Sequence, residues 1–288
     1  MLHDCIPSIH RPQRGCLLAI FSNRRVIPHA SSLRHARLDA LRTVAMVWMT
    51  VFHFCFDLNH FRLIPPQQFL TDPFWTWQRT AIVSLFLFTA GFSQAVALQG
   101  QGLLERPAWQ RLDRRFWMRW GRVAGAALLV SVGSVVMFPH SWIYFGVLHG
   151  LAIMLVLARL SAGWGGGLWM AGVAAVVLKT VAENIHQSSD NWLIFNEKWL
   201  NWLGFISRKP VTEDYVPLIP WLAALWWGMA AGLWVLKHRP HWLQPMSPSA
   251  WEQRWLPFLS APGRWSLSYY LLHQPLLMGG LVLWTWTR

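Results

Sequence analysis

The chain has 288 residues, of which 54% are hydrophobic and only 13% charged, with 22 Trp against 4 Tyr and a formal net charge of +13. Its apolar residues come in blocks of about 20, the length that crosses a bilayer as helix, so a soluble globular enzyme is excluded. The positive charge lies mostly in the connections between blocks, where it sets membrane orientation, so nucleic-acid binding is not expected.

In chain order, residues 1–33 read as a disordered basic tail, and residues 34–288 as one membrane domain. Seven blocks fit a span, roughly 40–58, 78–98, 121–138, 142–160, 165–183, 217–236 and 265–287. The fold class is therefore all-α, a polytopic helix bundle with about seven transmembrane helices. Pro139 and His140 join the third and fourth spans in a hairpin. The run Trp164–Gly167 reads as a turn opening the fifth span. Segment 192–206 reads as an amphipathic helix on the outer face, and Trp192, Trp199, Trp202, Trp242, Trp251 and Trp255 suit the bilayer interface. Arginines 106, 111, 114, 115, 119 and 122 crowd one connection, whereas 184–215 carries Asp190, Glu197, Glu213 and Asp214. The excess of arginine puts the N-terminus in the cytoplasm and loop 184–215 outside.

Ionisable groups inside spans are costly in lipid and mark functional positions. His53 stands in the first span with Asp57 four residues on, hence on the same helical face. A carboxylate bonded to an imidazole fixes its tautomer and raises its basicity, so Asp57 is expected to orient His53 as a general base. Arg42 precedes His53 by eleven residues, nearly three turns, and lies about 16 Å away along the axis. In the seventh span Ser266, Tyr270 and His273 form a polar stripe, followed by Gln274 and Pro275. His149 sits between Gly146 and Gly150 in the fourth span, where another helix can come close. Arg79 opens the second span, and Asp214 precedes the sixth and is expected to share an outer cavity with Asp57. Asp39 reads as the N-terminal cap of the first span. Cys5, Cys16 and Cys55 have no paired spacing, and the histidines lack ligand spacing, so neither a disulfide framework nor a metal is expected.

One ordered set of motifs carries a family resemblance: Arg37-Leu-Asp39-Ala-Leu-Arg42 followed by His53 and Asp57; Ser84 to Gly91; Phe145-Gly146-Val-Leu-His149; Pro217-Leu-Ile-Pro220-Trp221; and Ser266 to Pro275. From residue 34 to 280 it resembles the bacterial DUF1624 membrane proteins, which are similar to the catalytic domain of heparan-α-glucosaminide N-acetyltransferase. Arg42 and His53 are also similar in spacing to the signature of the wider transmembrane acyltransferases. The resemblance implies an enzyme of the bacterial inner membrane that moves an acyl group, acetyl in the first instance, from cytoplasmic acyl-CoA to an outer acceptor such as a glycan.

On that reading His53, Asp57 and His273 are the catalytic residues. His149, Gln274, Arg79, Asp214 and Tyr270 bind substrate, and Arg42 meets the CoA phosphates, aided by arginines of 106–122. The thioester lies among His53, His149 and His273 in a cavity open to both faces. Two other readings use the same buried groups: a proton-coupled small-molecule transporter, and a non-catalytic membrane scaffold.

Overall fold

The structure is a computed structural model that describes residues 36–188, 190–243 and 248–287. The basic tail of residues 1–33 lies outside the described residues. Eight α-helices are described: α1 Ala36–His60, α2 Pro73–Gly100, α3 Arg114–Met137, α4 Val147–Ser161, α5 Gly167–Ser188, α6 Leu218–His238, α7 Ala250–Gly263 and α8 Ser266–Trp286. Apart from an isolated bridge between Phe145 and Tyr215, the described residues contain no β-structure.

Six of these helices, α1 to α6, are long and apolar enough to cross a membrane, α4 by continuing through a short 3₁₀ turn to Trp164. α8 is diluted by Ser266, Ser268, Tyr269, Tyr270, His273 and Gln274, yet its 21 residues extend about 32 Å, a bilayer's hydrocarbon thickness. Helix ends follow from local chemistry. Asp72 accepts the Phe74 N–H at 2.8 Å, with Pro73 opening α2. Asp113 accepts from Phe116 and Arg115 at the start of α3. Ser249 and Glu252 form a reciprocal capping box on α7. Gly165, at φ 54°, makes the sharp turn into α5 that the glycine run foretold.

The six long apolar helices, α1 to α6, alternate in direction. Trp120 bonds the Ala152 carbonyl and Ser131 meets His149, so α3 and α4 run antiparallel. α2 and α6 run parallel along a seam of small residues: a Cβ on Gly91 would strike the Leu225 carbonyl, one on Gly228 the Phe88 backbone, and one on Gly232 the Ala95 side chain. Close approach of this kind lets dispersion hold apolar helices together where lipid gives no hydrophobic drive. Leu87, Leu98, Met154, Leu155, Leu225 and Met229 fill the core beside it. In contrast, α3 turns Leu128, Leu129, Val132 and Val136 outward, as a lipid-facing helix does.

Two expectations change. Segment 192–206 is not an amphipathic helix: it forms two short 3₁₀ stretches, Asp190–Asn196 and Asn201–Leu203. The Asn196 side chain accepts from the backbone N–H groups of Ser207 and Arg208, and Gly204 at φ 100° reverses the chain, so local bonds outcompete a helix. Asp39 lies inside the first turn of α1, where its carboxylate holds Arg42 at 2.6 Å.

Candidate active site

α1 and α8 run parallel and bring their polar residues together. Thr50 and Tyr269 share a 2.5 Å hydrogen bond between hydroxyls. One turn further along both helices, the His53 and His273 rings meet edge to face with centroids 5.2 Å apart. One turn further, Gln274 Nε2 donates to Asp57 Oδ1 at 2.8 Å. Asp57 is 1% exposed and His273 is also buried, so this is an internal site.

Among the described residues Asp57 does not hydrogen-bond His53, contrary to the expected pairing. Its carboxylate turns to the carboxamide of Gln274 instead, a longer-range partner with a free N–H. The imidazole with a fixed tautomer is His273: its Nδ1 lies 2.8 Å from the Tyr270 carbonyl. A carbonyl only accepts, so Nδ1 carries the proton and neutral His273 keeps its Nε2 lone pair free. Three buried atoms here have no hydrogen-bond partner among the described residues: Asp57 Oδ2, Gln274 Oε1 and His273 Nε2. With Asp57 ionised, all three are acceptors, and each calls for a donor. The rim beside His53 is aromatic, with Phe52, Phe56, Phe69 and Trp75 packed ring to ring.

The described hydrogen bonds of His149 go to neither of the other two histidines. Its Nδ1 accepts the Gly146 N–H at 3.3 Å and its Nε2 faces Ser131 Oγ at 3.1 Å. Ser131 in turn donates to the Ile143 carbonyl at 2.7 Å. Both ring nitrogens thus serve the start of α4. Asp214 serves the same helix end, accepting the Val147 N–H at 2.7 Å, and Tyr270 reaches it at 3.5 Å. Burial pushes the Asp214 carboxyl above its ordinary value, while the bonds from Val147 and Tyr270 pull it down. Asp214 therefore caps α4 and tethers α8; its described hydrogen bonds do not join it to Asp57. Arg79 is half-buried on α2, one turn from Ile82, which packs with Phe52 and Tyr270. It makes no hydrogen bond or ion pair among the described residues.

At the other end of the bundle a cavity of about 170 Å³ is lined by Arg42, Ser93, Gln94, Arg119, Trp120 and Arg159, with apolar residues between them. None of the three histidines lines it. Arg42 is held there by Asp39 and by Ser93 Oγ, each at 2.6 Å. Arg159 was not singled out in the sequence, although an arginine inside an apolar span is itself the signal. It is 1% exposed and pairs with Asp113 at 3.0 Å, Gln94 at 2.9 Å and the Arg111 carbonyl, with its guanidinium over the Phe116 ring. No group of metal-ligating side chains occurs among the described residues.

Alternating apolar helices around an internal cluster of imidazole, carboxylate and carboxamide define a multi-pass membrane protein with a polar site inside its bundle. Residues 34–275 match the family described as heparan-alpha-glucosaminide N-acetyltransferase, catalytic, and the chain belongs to that family. The family is one of membrane acetyltransferase-like proteins, whose co-substrate is an acyl-CoA. No curated protein and no solved structure matches the chain.

Proposed function

We propose that this protein transfers an acetyl group from acetyl-CoA to the amine of an acceptor, an amino sugar by its family, inside the bundle. The observation that carries this reading is the trio of unpartnered buried acceptors, Asp57 Oδ2, Gln274 Oε1 and His273 Nε2, between α1 and α8. An amine supplies the N–H donors these atoms lack, and they turn its lone pair towards an incoming carbonyl.

In the transfer the amine nitrogen attacks the thioester carbonyl carbon. The C–N bond forms, the C–S bond breaks, and an amine proton moves to His273 Nε2 and from there to the departing thiolate. The sequence reading gave the base role to His53; the hydrogen bonds favour His273, whose lone pair is aimed by the Tyr270 carbonyl. His53, ring to ring with His273, is placed to donate to the carbonyl oxygen as negative charge develops. Asp57 and Gln274 hold each other and present their remaining oxygens to the acceptor.

The arginine-lined cavity suits the CoA phosphates, since guanidinium groups pair with phosphate oxygens. Arg119 is exposed and Arg42 has further donors, whereas Arg159 is consumed by its protein partners. From Arg42 to His53 the helix rises about 16 Å, a span that an extended pantetheine arm covers. The excess of arginine on this side supports a mouth facing the cytoplasm of a bacterial inner membrane, with the acceptor entering past His60 and Arg79.

The test uses purified protein in nanodiscs, radiolabelled acetyl-CoA and a panel of amino sugars with their N-methylated and hydroxyl analogues. Acetylation of the amine and not of the hydroxyl analogue is expected. Proton-linked uptake of a sugar into vesicles without acetylation would overturn the reading in favour of a transporter.

A further inference from the structure

α7 is too short to cross a membrane: its 14 residues extend about 21 Å, against about 30 Å of hydrocarbon. It nevertheless exposes large aromatic residues. Trp251 is 59% and Phe258 73% exposed, with Trp255 and Leu259 beside them. At about 100° per residue the helix divides into three sectors. Leu256, Ser260 and Gly263 form a buried sector, packed towards α1. Trp251, Trp255, Phe258 and Leu259 form an aromatic and aliphatic sector. Between these, on the far side, Gln253 and Arg254 continue into Arg264 just past the helix end. A water-facing helix does not display such a stripe, and a helix inside the hydrocarbon does not carry the arginines. Aromatic and cationic sectors side by side are the pattern of a helix lying flat at a membrane interface.

We propose that α7 is a docking surface for anionic lipid headgroups of the leaflet on the arginine-rich face of the bundle. Trp251, Trp255 and Phe258 enter the acyl-chain boundary, and Arg254 and Arg264 meet headgroup phosphates. The anionic choice rests on charge complementarity. Lys237 and Arg239 end α6 on this face, Arg254 stacks on Trp255, and the Glu252 carboxylate is taken up by Arg37 and by Ser249. The cations therefore outnumber the free carboxylates at this surface.

The surface also bears on the cavity. Gly263 lies so close to the Asp39 backbone that a Cβ would strike its carbonyl, and Asp39 is the residue that holds Arg42. Arg37, on the same turn of α1, is tied to Glu252 and to the Trp242 carbonyl. Where α7 sits on the leaflet thus sets where Arg42 stands in the cavity. The lipid contact itself does not depend on the catalytic reading, and its test reads no turnover.

The test places an NBD fluorophore on a single cysteine at position 258, with Cys5, Cys16 and Cys55 replaced by Ser, in the full chain in nanodiscs. Doxyl quenchers are carried near the headgroup or deep in the acyl chain, on neutral or anionic lipid. Quenching is expected to be strongest from the shallow doxyl, and about fivefold more effective from anionic than from neutral lipid, on the scale of one arginine at a charged leaflet. Arg254→Gln with Arg264→Gln should abolish that preference and leave the shallow quenching in place. Accessibility to aqueous iodide would overturn the proposal, by showing that water or a soluble partner covers this face. So would equal quenching by neutral and anionic lipids, or strongest quenching from the deep position. Should Phe258→Cys not fold, Trp255→Cys carries the same label on the same sector.

Discussion

The Asp57–Gln274 bond offers a stringent test of how α1 and α8 are joined. Asp57 is 1% exposed, and its one described side-chain hydrogen bond comes from Gln274 at 2.8 Å. Gln274→Met keeps the length of the side chain and removes the donor, leaving a buried carboxylate without a partner. A hydrogen bond to a charged group contributes about 1.5–3 kcal/mol, and stranding a buried one costs at least as much. Asp57→Leu keeps the carboxylate's shape and strands the carboxamide instead. The double variant strands neither group, so the two losses should fail to add by about 1.5–3 kcal/mol. An exposed polar pair would couple by only about 0.2–1 kcal/mol, so the size of the coupling separates an internal bond from a surface one. Unfolding of the four proteins in mixed micelles by a graded denaturing detergent measures it. Additivity within about 0.5 kcal/mol would refute the assignment. His53→Ala combined with Asp57→Leu serves as the contrast: no hydrogen bond joins them, and their stability losses should add.

Other outcomes follow from the same geometry. His273→Ala should lower kcat by about 10²–10⁴-fold with the fold retained, the usual range for loss of a general base. His149→Ala should instead cost about 1 kcal/mol of stability through the start of α4, with kcat little changed, measured by unfolding and turnover on the same preparation. Arg119→Ala should raise the KM for acetyl-CoA without lowering kcat, whereas Arg159→Met should destabilise by about 1–3 kcal/mol because it strands the buried Arg111 carbonyl and removes the ion pair to the partly exposed Asp113; steady-state kinetics and thermal unfolding distinguish the two. The raised Asp214 carboxyl binds its proton more tightly folded than unfolded, so stability should fall as pH rises from its ordinary 3.8 through the folded-state value. Asp214→Asn should flatten that slope in a pH series of unfolding measurements.

The spans were legible because lipid-facing helices are apolar over their whole length, although the second helix starts at Pro73, capped by Asp72, ahead of the expected 78. The meeting of His53 with His273 followed from the rule that polar groups in spans turn inward. The partner of Asp57 was not legible. Sequence spacing offers only the local candidate at i,i+4, whereas Gln274 arrives from 217 residues away and competes through a free N–H. The bonds of His149 were hidden for a related reason: an imidazole three residues after Gly146 can close a helix end, and nothing in a single sequence shows which nitrogen is already taken. Arg159 was hidden by the apolar run around it, and its partners Gln94 and Asp113 lie on other elements. The 192–206 segment failed because apolar periodicity was read without weighing Asn196, whose side chain rewires the local backbone.

The cap on α4 also has a consequence for how the chain is made. The Val147 N–H is satisfied by Asp214, 67 residues further along. During synthesis α3, α4 and α5 must therefore enter the bilayer before the group that completes the first turn of α4 exists. Until the 204–217 connection emerges, that helix start depends on His149 and Ser131 alone. A nascent chain halted before residue 214 carries an unfinished helix end at the membrane boundary, and one released after it does not. The sixth helix and the group that seals the start of the fourth are thus delivered by the same stretch of chain.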